Sequence, residues 1–251
     1  MPRPYRRPHI VCRPSESLLT VLLVSTILLH AALAQTNADL TVHLAVKATN
    51  GKLLAPSINS PVVVWLSPLG LDGQVDLSLR PGAGKSFEMV QKDMKFQPHL
   101  LVVPTGSVVA FPNRDPFFHN VFSLFNGRRF DLGLYETGSS HSFPFAREGI
   151  SYIFCNIHQD MGAVIVSVAT PYYAVANQES VQVHQIPPGE YQLRVWAEDA
   201  TAASLQKASR HVTIGVDNYD AGVVVIVLQP RQMHTDKFGK PYSQHPEGTP
   251  Y

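Results

Sequence analysis

Between Asp39 and Leu228 the apolar residues come in short runs, mostly of about four to six, separated by Pro, Gly and Asn. None sustains a 3.6-residue apolar period over a long stretch. The first set of runs is Thr41–Val46, Val62–Ser67, Val75–Leu79, Phe87–Gln91, Leu100–Val103, Ser107–Phe111, Asn120–Leu124, Ser140–Phe145, Ser151–Cys155 and Ala163–Val168. Their β-branched and aromatic content and their strand-and-turn spacing predict an all-β sandwich or barrel. Asn50-Gly51 and Leu71-Asp72-Gly73 read as turns.

Ala169-Thr170-Pro171 then punctuates the chain. A second set follows: Tyr172–Val175, Ser180–His184, Tyr191–Ala197, Ser209–Val216 and Ala221–Leu228, with a turn at Pro187-Pro188-Gly189-Glu190. The pattern therefore predicts one β domain over 38–168 and a second, small β-sandwich over 169–230 packed on it. The remainder, 231–251, is rich in Pro, lacks apolar periodicity and is expected to be a flexible tail.

The N-terminus differs in kind. Arg3, Arg6, Arg7 and Arg13 precede an uncharged stretch from Leu18 to Ala34 that ends in Ala32-Leu33-Ala34. Basic residues, a short apolar region and small residues at its end form the pattern of a secretory signal peptide over 1–34. An uncleaved anchor is the alternative, but the stretch is short for a span of about 20 residues and holds His30, Ser25, Thr20 and Thr26. The expectation is a Sec-type bacterial export signal, a periplasmic or secreted protein, and no membrane span after cleavage.

Charge changes the picture little: at +1 net, with 16% charged residues, the chain has no basic stripe for nucleic acid. Cysteine changes it more. There are 2 in all, and Cys12 lies in the leader, so the exported chain holds Cys155 alone. A single thiol in an oxidising compartment calls for a reason to persist there.

Cys155 is followed by Asn156-Ile157-His158-Gln159-Asp160-Met161, a C-x2-H-x2-M pattern. Fully extended, three residues span about 10 Å, so only a curled loop lets these side chains share one ion. Soft sulfur ligands with imidazole select copper or zinc, and a weak thioether suits copper. The gap in this ligand set is best filled by His119, at the start of an alternating run bracketed by Phe117, Phe118 and Phe122. His119, Cys155, His158 and Met161 together make the His2Cys set with axial Met used in blue-copper electron transfer. Zinc is the rival; Met serves it poorly, and Asp160 inside the loop is the donor that would serve it better. The aromatics Phe111, Phe118, Phe122, Phe145 and Phe154 read as core. His43, His99, His141, His184, His211, His234 and His245 show no ligand spacing.

On these residues the stretch from about Gln91 to Val168 resembles the plastocyanin-like cupredoxins, and its short ligand loop is similar to that of amicyanin. The resemblance implies a Greek-key sandwich and a single type 1 copper per chain. It also implies that the Asn120 side chain braces the cysteine loop, and that a rim of Phe117, Ile157, Gly162 and Ala163 around His158 docks a redox partner protein. Asp39–Phe96 is longer than such a domain needs, and Asn126–Glu136 has no counterpart in amicyanin. The segment from Ile186 to Trp196 resembles the carboxypeptidase regulatory-like (transthyretin-like) sandwich. Cupredoxins with this module resemble exported proteins labelled methylamine-utilisation-like.

The expected function is thus one-electron transfer rather than enzymatic turnover. A multicopper oxidase or nitrite-reductase-like enzyme needs further His clusters, and no H-x-H occurs. A non-redox copper carrier of the envelope would use the same four ligands. Trp196 is either core or an exposed contact for a partner.

Overall fold

In the computed structural model of the chain, residues 37–54, 61–70, 73, 80–124, 129–231 and 234–242 are described. The leader with Cys12, the run Val75–Leu79, Leu71-Asp72 and His245 lie outside these residues. Among the described residues no helix is long and apolar enough to cross a membrane.

Among the described residues the chain is all-β but for one short helix, and its sheets do not follow chain order. The first sheet has the order β15 (Ser180–Ile186), β1 (Ala38–Ala48), β18 (Tyr219–Leu228), with β2 (Leu53–Leu54) paired to β1. The second runs β14 (Tyr173–Ala176), β3 (Val62–Pro68), β16 (Gly189–Ala197), β17 (Arg210–Ile214). Between β16 and β17, α1 (Ala202–Ala208) is capped by Thr201, whose side chain accepts the Ser204 N–H. Leu40, Val42 and Leu44 of β1 pack against Val62, Val64 and Leu66 of β3 and Leu193 and Val195 of β16, so these two sheets close one core.

The third sheet has the order β10 (Phe130–Tyr135), β9 (His119–Ser123), β12 (Gly149–Phe154), β13 (Gly162–Val168), β7 (Leu100–Pro104). It faces β11 (Ser140–Phe145), β8 (Ser107–Pro112) and β4 (Ser86–Glu88) across a second core that includes Phe111, Phe145, Ile153, Cys155 and Met161. The chain changes sheet from β7 to β8, β8 to β9, β10 to β11 and β11 to β12, which is Greek-key traffic. A separate hairpin, β5 (Val90–Lys92) with β6 (Lys95–Gln97), turns through Asp93 (φ 56°) and Met94 (φ 55°). Two successive left-handed residues are what a type I′ hairpin turn requires.

The two sandwiches meet through a third apolar cluster: Val63 and Trp65 of β3 and Trp196 of β16 against Val164, Val166 and Val168 of β13. Alternate side chains of a strand point to opposite faces, so β3 gives Val62, Val64 and Leu66 to one core and Val63 and Trp65 to the junction. The result is four stacked sheets. Trp196 is 5% exposed and lies in the junction, not on the surface. Polar bonds flank it: Trp65 Nε1 donates to Glu148 Oε1 at 2.8 Å, and His99 Nε2 meets Glu198 Oε2 at 2.6 Å.

The expected division at residue 169 is corrected by these ladders. β1 pairs with β15 and β18, and β3 with β14 and β16. Residues 38–68 therefore belong to the sandwich built by the C-terminal strands, and the half that carries Cys155, from about 80 to 168, is inserted between β3 and β14. This also accounts for the surplus length of Asp39–Phe96. Phe130–Tyr135, with no counterpart expected, is the edge strand β10; its Gly133 (φ 76°) lies where the register with β9 shifts.

Candidate metal centre

The candidate ligands are brought together by strand pairing. β12 and β13 pair antiparallel with Phe154 opposite Gly162, so the residues between them form a closed loop with Cys155 and Met161 at its two ends. The Cys155 N–H donates to the Met161 carbonyl at 3.1 Å, and the Met161 N–H to the His158 carbonyl at 3.1 Å. This is the curl that the spacing demands. Phe154 also pairs with Phe122 of β9, which sets the start of β9, and hence His119, beside Cys155.

His119 Nδ1 lies 3.2 Å from His158 Nδ1 and 3.8 Å from Cys155 Sγ, and His158 Nδ1 lies 3.5 Å from that sulfur. Donors about 2.0 to 2.3 Å from a common ion and spread at roughly 110 to 120° lie about 3.3 to 3.7 Å apart, a window that these separations meet to within about 0.1 Å, as one shared metal requires. His119, Cys155 and Met161 are buried, Met161 in the same cluster as the thiol, while His158 is partly open. Among the described residues no other group of His, Cys, Asp and Glu side chains converges in this way. Asp160 is exposed and outside the group, which removes the donor that zinc would have preferred.

The electrostatics suit a ligand set. Burial pushes the Cys155 thiol up, while the backbone N–H groups of Asn120, Ile157 and His158 aimed at it favour the thiolate. Burial, then the neighbouring His119, hold His158 below its ordinary value, so it is a neutral donor; the Asp115 charge opposes this.

Asp115 was not anticipated from the sequence. It is 4% exposed, and its Oδ2 meets His119 Nε2 at 2.7 Å. Burial alone would raise this carboxyl, but the Met94 N–H, the His119 ring and the Asp93 N–H together hold it below its usual range. Those two amides come from the β5–β6 turn, at 2.6 Å from Asp93 and 3.0 Å from Met94. An ionised carboxylate on Nε2 fixes the proton there and leaves the Nδ1 lone pair facing the thiol, the support usually given to a metal-bound histidine. The signal was present as Asp-Pro-Phe-Phe-His, but i, i+4 spacing suggests a contact only when the local structure is known.

Asn120 does not brace the loop with its side chain. Its Nδ2 donates to Asp131 Oδ1 at 2.7 Å and to the Gly133 carbonyl at 2.8 Å, tying β9 to the bulged β10, and it is the backbone N–H that faces the sulfur. The rim also changes. Phe117 is 38% exposed, with its ring centroid 5.2 Å from that of His119 and 5.7 Å from that of His158. Phe118, expected in the core, is 46% exposed in the same loop, whereas Ala163 is 2% exposed and belongs to the core instead. Ile157 and Gly162 are half-buried.

The tail departs most from expectation, because residues 234–242 lie against the ligand loop. Tyr242 Oη donates to the Cys155 carbonyl at 2.7 Å, the His234 ring stacks on Phe154 at 4.1 Å, and the Lys237 N–H donates to Asn156 Oδ1 at 2.9 Å.

Neither a protein-family model nor a curated protein matches the chain. Solved structures similar to it include a purple cupredoxin from Nitrosopumilus maritimus, at 22% identity over 32% of this chain and 98% of that one, with a TM-score of 0.30. They also include a reduced amicyanin mutant, at 19% identity over 42% of this chain and 98% of that one, with a TM-score of 0.32.

Proposed function

We propose that the chain is an exported type 1 copper protein that transfers single electrons, with His119, Cys155, His158 and Met161 as ligands of one copper. The observation that carries this reading is the convergence of two imidazole nitrogens and a buried thiol within 3.8 Å. The soft donor set favours copper over zinc. Copper bound there supplies a Cu(II)/Cu(I) couple. The chain's own residues do the rest: Asp115 holds the His119 tautomer, backbone N–H groups stabilise the Cys155 thiolate, and Phe111 and Phe145 hold the sandwich behind the ligands. His158 is the ligand nearest solvent, and Phe117, Phe118 and Ile157 give a redox partner a small apolar contact around it, as suits a transient encounter.

The test is addition of Cu(II) to the purified chain lacking residues 1–34. An intense thiolate-to-copper absorption that disappears in Cys155→Ser is expected. A colourless complex, or binding of zinc alone, rejects the reading, and rapid surrender of copper to a chelator without a reversible couple favours a carrier of copper ions.

A further inference from the structure

We propose that His234–Tyr242 is a strap that positions the Cys155–Met161 loop, with Tyr242 as the positioning residue. This deepens the copper reading, but its first test is made without metal, so the two fail separately.

Three consecutive residues of the loop's leading edge are gripped, each by a different chemistry. The His234 ring lies on Phe154, with centroids 4.1 Å apart and planes at 22°. The Tyr242 hydroxyl donates to the Cys155 carbonyl at 2.7 Å. The Lys237 N–H donates to the Asn156 side chain at 2.9 Å. A tail lying loosely on the surface has no reason to engage residues 154, 155 and 156 in turn.

The strap is also organised within itself. Asp236 Oδ1 accepts the Phe238 and Lys240 N–H groups at 2.9 and 2.7 Å, and its own N–H donates to the Lys240 carbonyl at 2.8 Å. His234 meets Tyr242 edge-on with centroids 5.2 Å apart, so the two ends of the strap are held together. Lys237 Nζ reaches Asp131 at 2.8 Å, and Asp131 in turn holds Asn120, whose N–H faces the Cys155 sulfur. The strap thus fixes the thiol's backbone directly and the strand opposite it through a carboxylate.

Fixing the carbonyl of a ligand residue fixes where its side chain starts, and a loop held from outside opens less often to release its ion. The test uses Tyr242→Phe, which keeps the ring and removes the hydroxyl, and a chain ending at Arg231, which retains that residue's pairing with Glu198 and Asp199. Amide hydrogen exchange is followed in the metal-free proteins. The Cys155 and Met161 amides are expected to exchange about fivefold faster in Tyr242→Phe, the equivalent of one hydrogen bond of about 1 kcal/mol, and faster still in the shortened chain. Ile165 and Val166 in β13 should be unchanged. Loop amides that exchange as in the unaltered chain in both variants overturn the proposal. So does acceleration of Ile165 and Val166 together with the loop, since the segment would then support the sandwich at large. In the copper-loaded protein, release to a chelator should quicken by the same factor.

Discussion

Asp115→Asn probes the support of His119 with almost no change of volume. The carboxylate accepts three donors, His119 Nε2 at 2.7 Å and the Asp93 and Met94 amides at 2.6 and 3.0 Å. An amide offers one acceptor oxygen instead of two, so at least one of those donors is left facing an NH2 group. A hydrogen bond to a charged group contributes about 1.5 to 3 kcal/mol, which sets the expected loss near 2 kcal/mol. For a domain of this size each kcal/mol shifts Tm by about 2 to 4 °C, so the metal-free variant should melt about 4 to 8 °C lower by calorimetry at neutral pH. If the NH2 faces His119, the ring must carry its proton on Nδ1, and metal affinity falls by about 10- to 100-fold. The depressed carboxyl gives the sign with pH. Its contribution is present above the ordinary carboxylate range and is lost as pH falls through the lower folded value, so the gap between the two proteins should close in acid. An Asn variant with the same Tm and the same metal affinity as the unaltered chain refutes the assigned role.

Three further outcomes are expected. Trp196→Ala empties part of the junction between the sandwiches and should cost about 3 to 5 kcal/mol in denaturant unfolding. His99 is raised chiefly by its bond to Glu198, and burial opposes the rise. Its contribution is therefore full below the ordinary histidine value and lost as pH rises through the folded one, and His99→Gln should flatten the fall of Tm between pH 6 and 9; with the ring 42% exposed, the effect stays under about 1 kcal/mol. Gly82→Ala drives a methyl group into Ser107 Oγ and the Pro104 carbonyl and should destabilise by about 1 to 3 kcal/mol in thermal melts, with Gly84→Ala, in open space but at φ 76°, as the contrast.

Most strands were legible because their cores are one-sided or continuous. Ser140–Phe145 forms a strand with the limits its pattern suggests, and Val62–Ser67 and Ala163–Val168 differ by a single residue. What those last two runs did not declare was that unbroken apolar character means burial on both faces; they are the strands that carry the junction. Pairing partners were not legible, since nothing local to β1 says that its neighbours are residues 180–186 and 219–228. Cys155, His158 and Met161 could be read because one loop carries them. His119 needed only the aromatic run around it, whereas Asp115, the strap and the exposure of Phe118 depend on how distant segments dock. α1 was missed although Thr201 and the following Ala, Leu, Gln and Lys favour a capped turn of helix.

The insertion between β3 and β14 has a consequence for the order in which the chain can be completed. β1 and β3 leave the ribosome first, yet β14 to β18 come last, so both wait while the intervening half closes on its own shorter-range contacts. During that interval the Val62–Pro68 strand has neither neighbour and is a bare apolar edge of the kind that recruits other chains. Cutting after Val168 would make that interval permanent. A freestanding piece carrying Cys155 and its neighbours has to be excised at both ends, from about residue 80 to residue 168, rather than obtained by trimming the C-terminus.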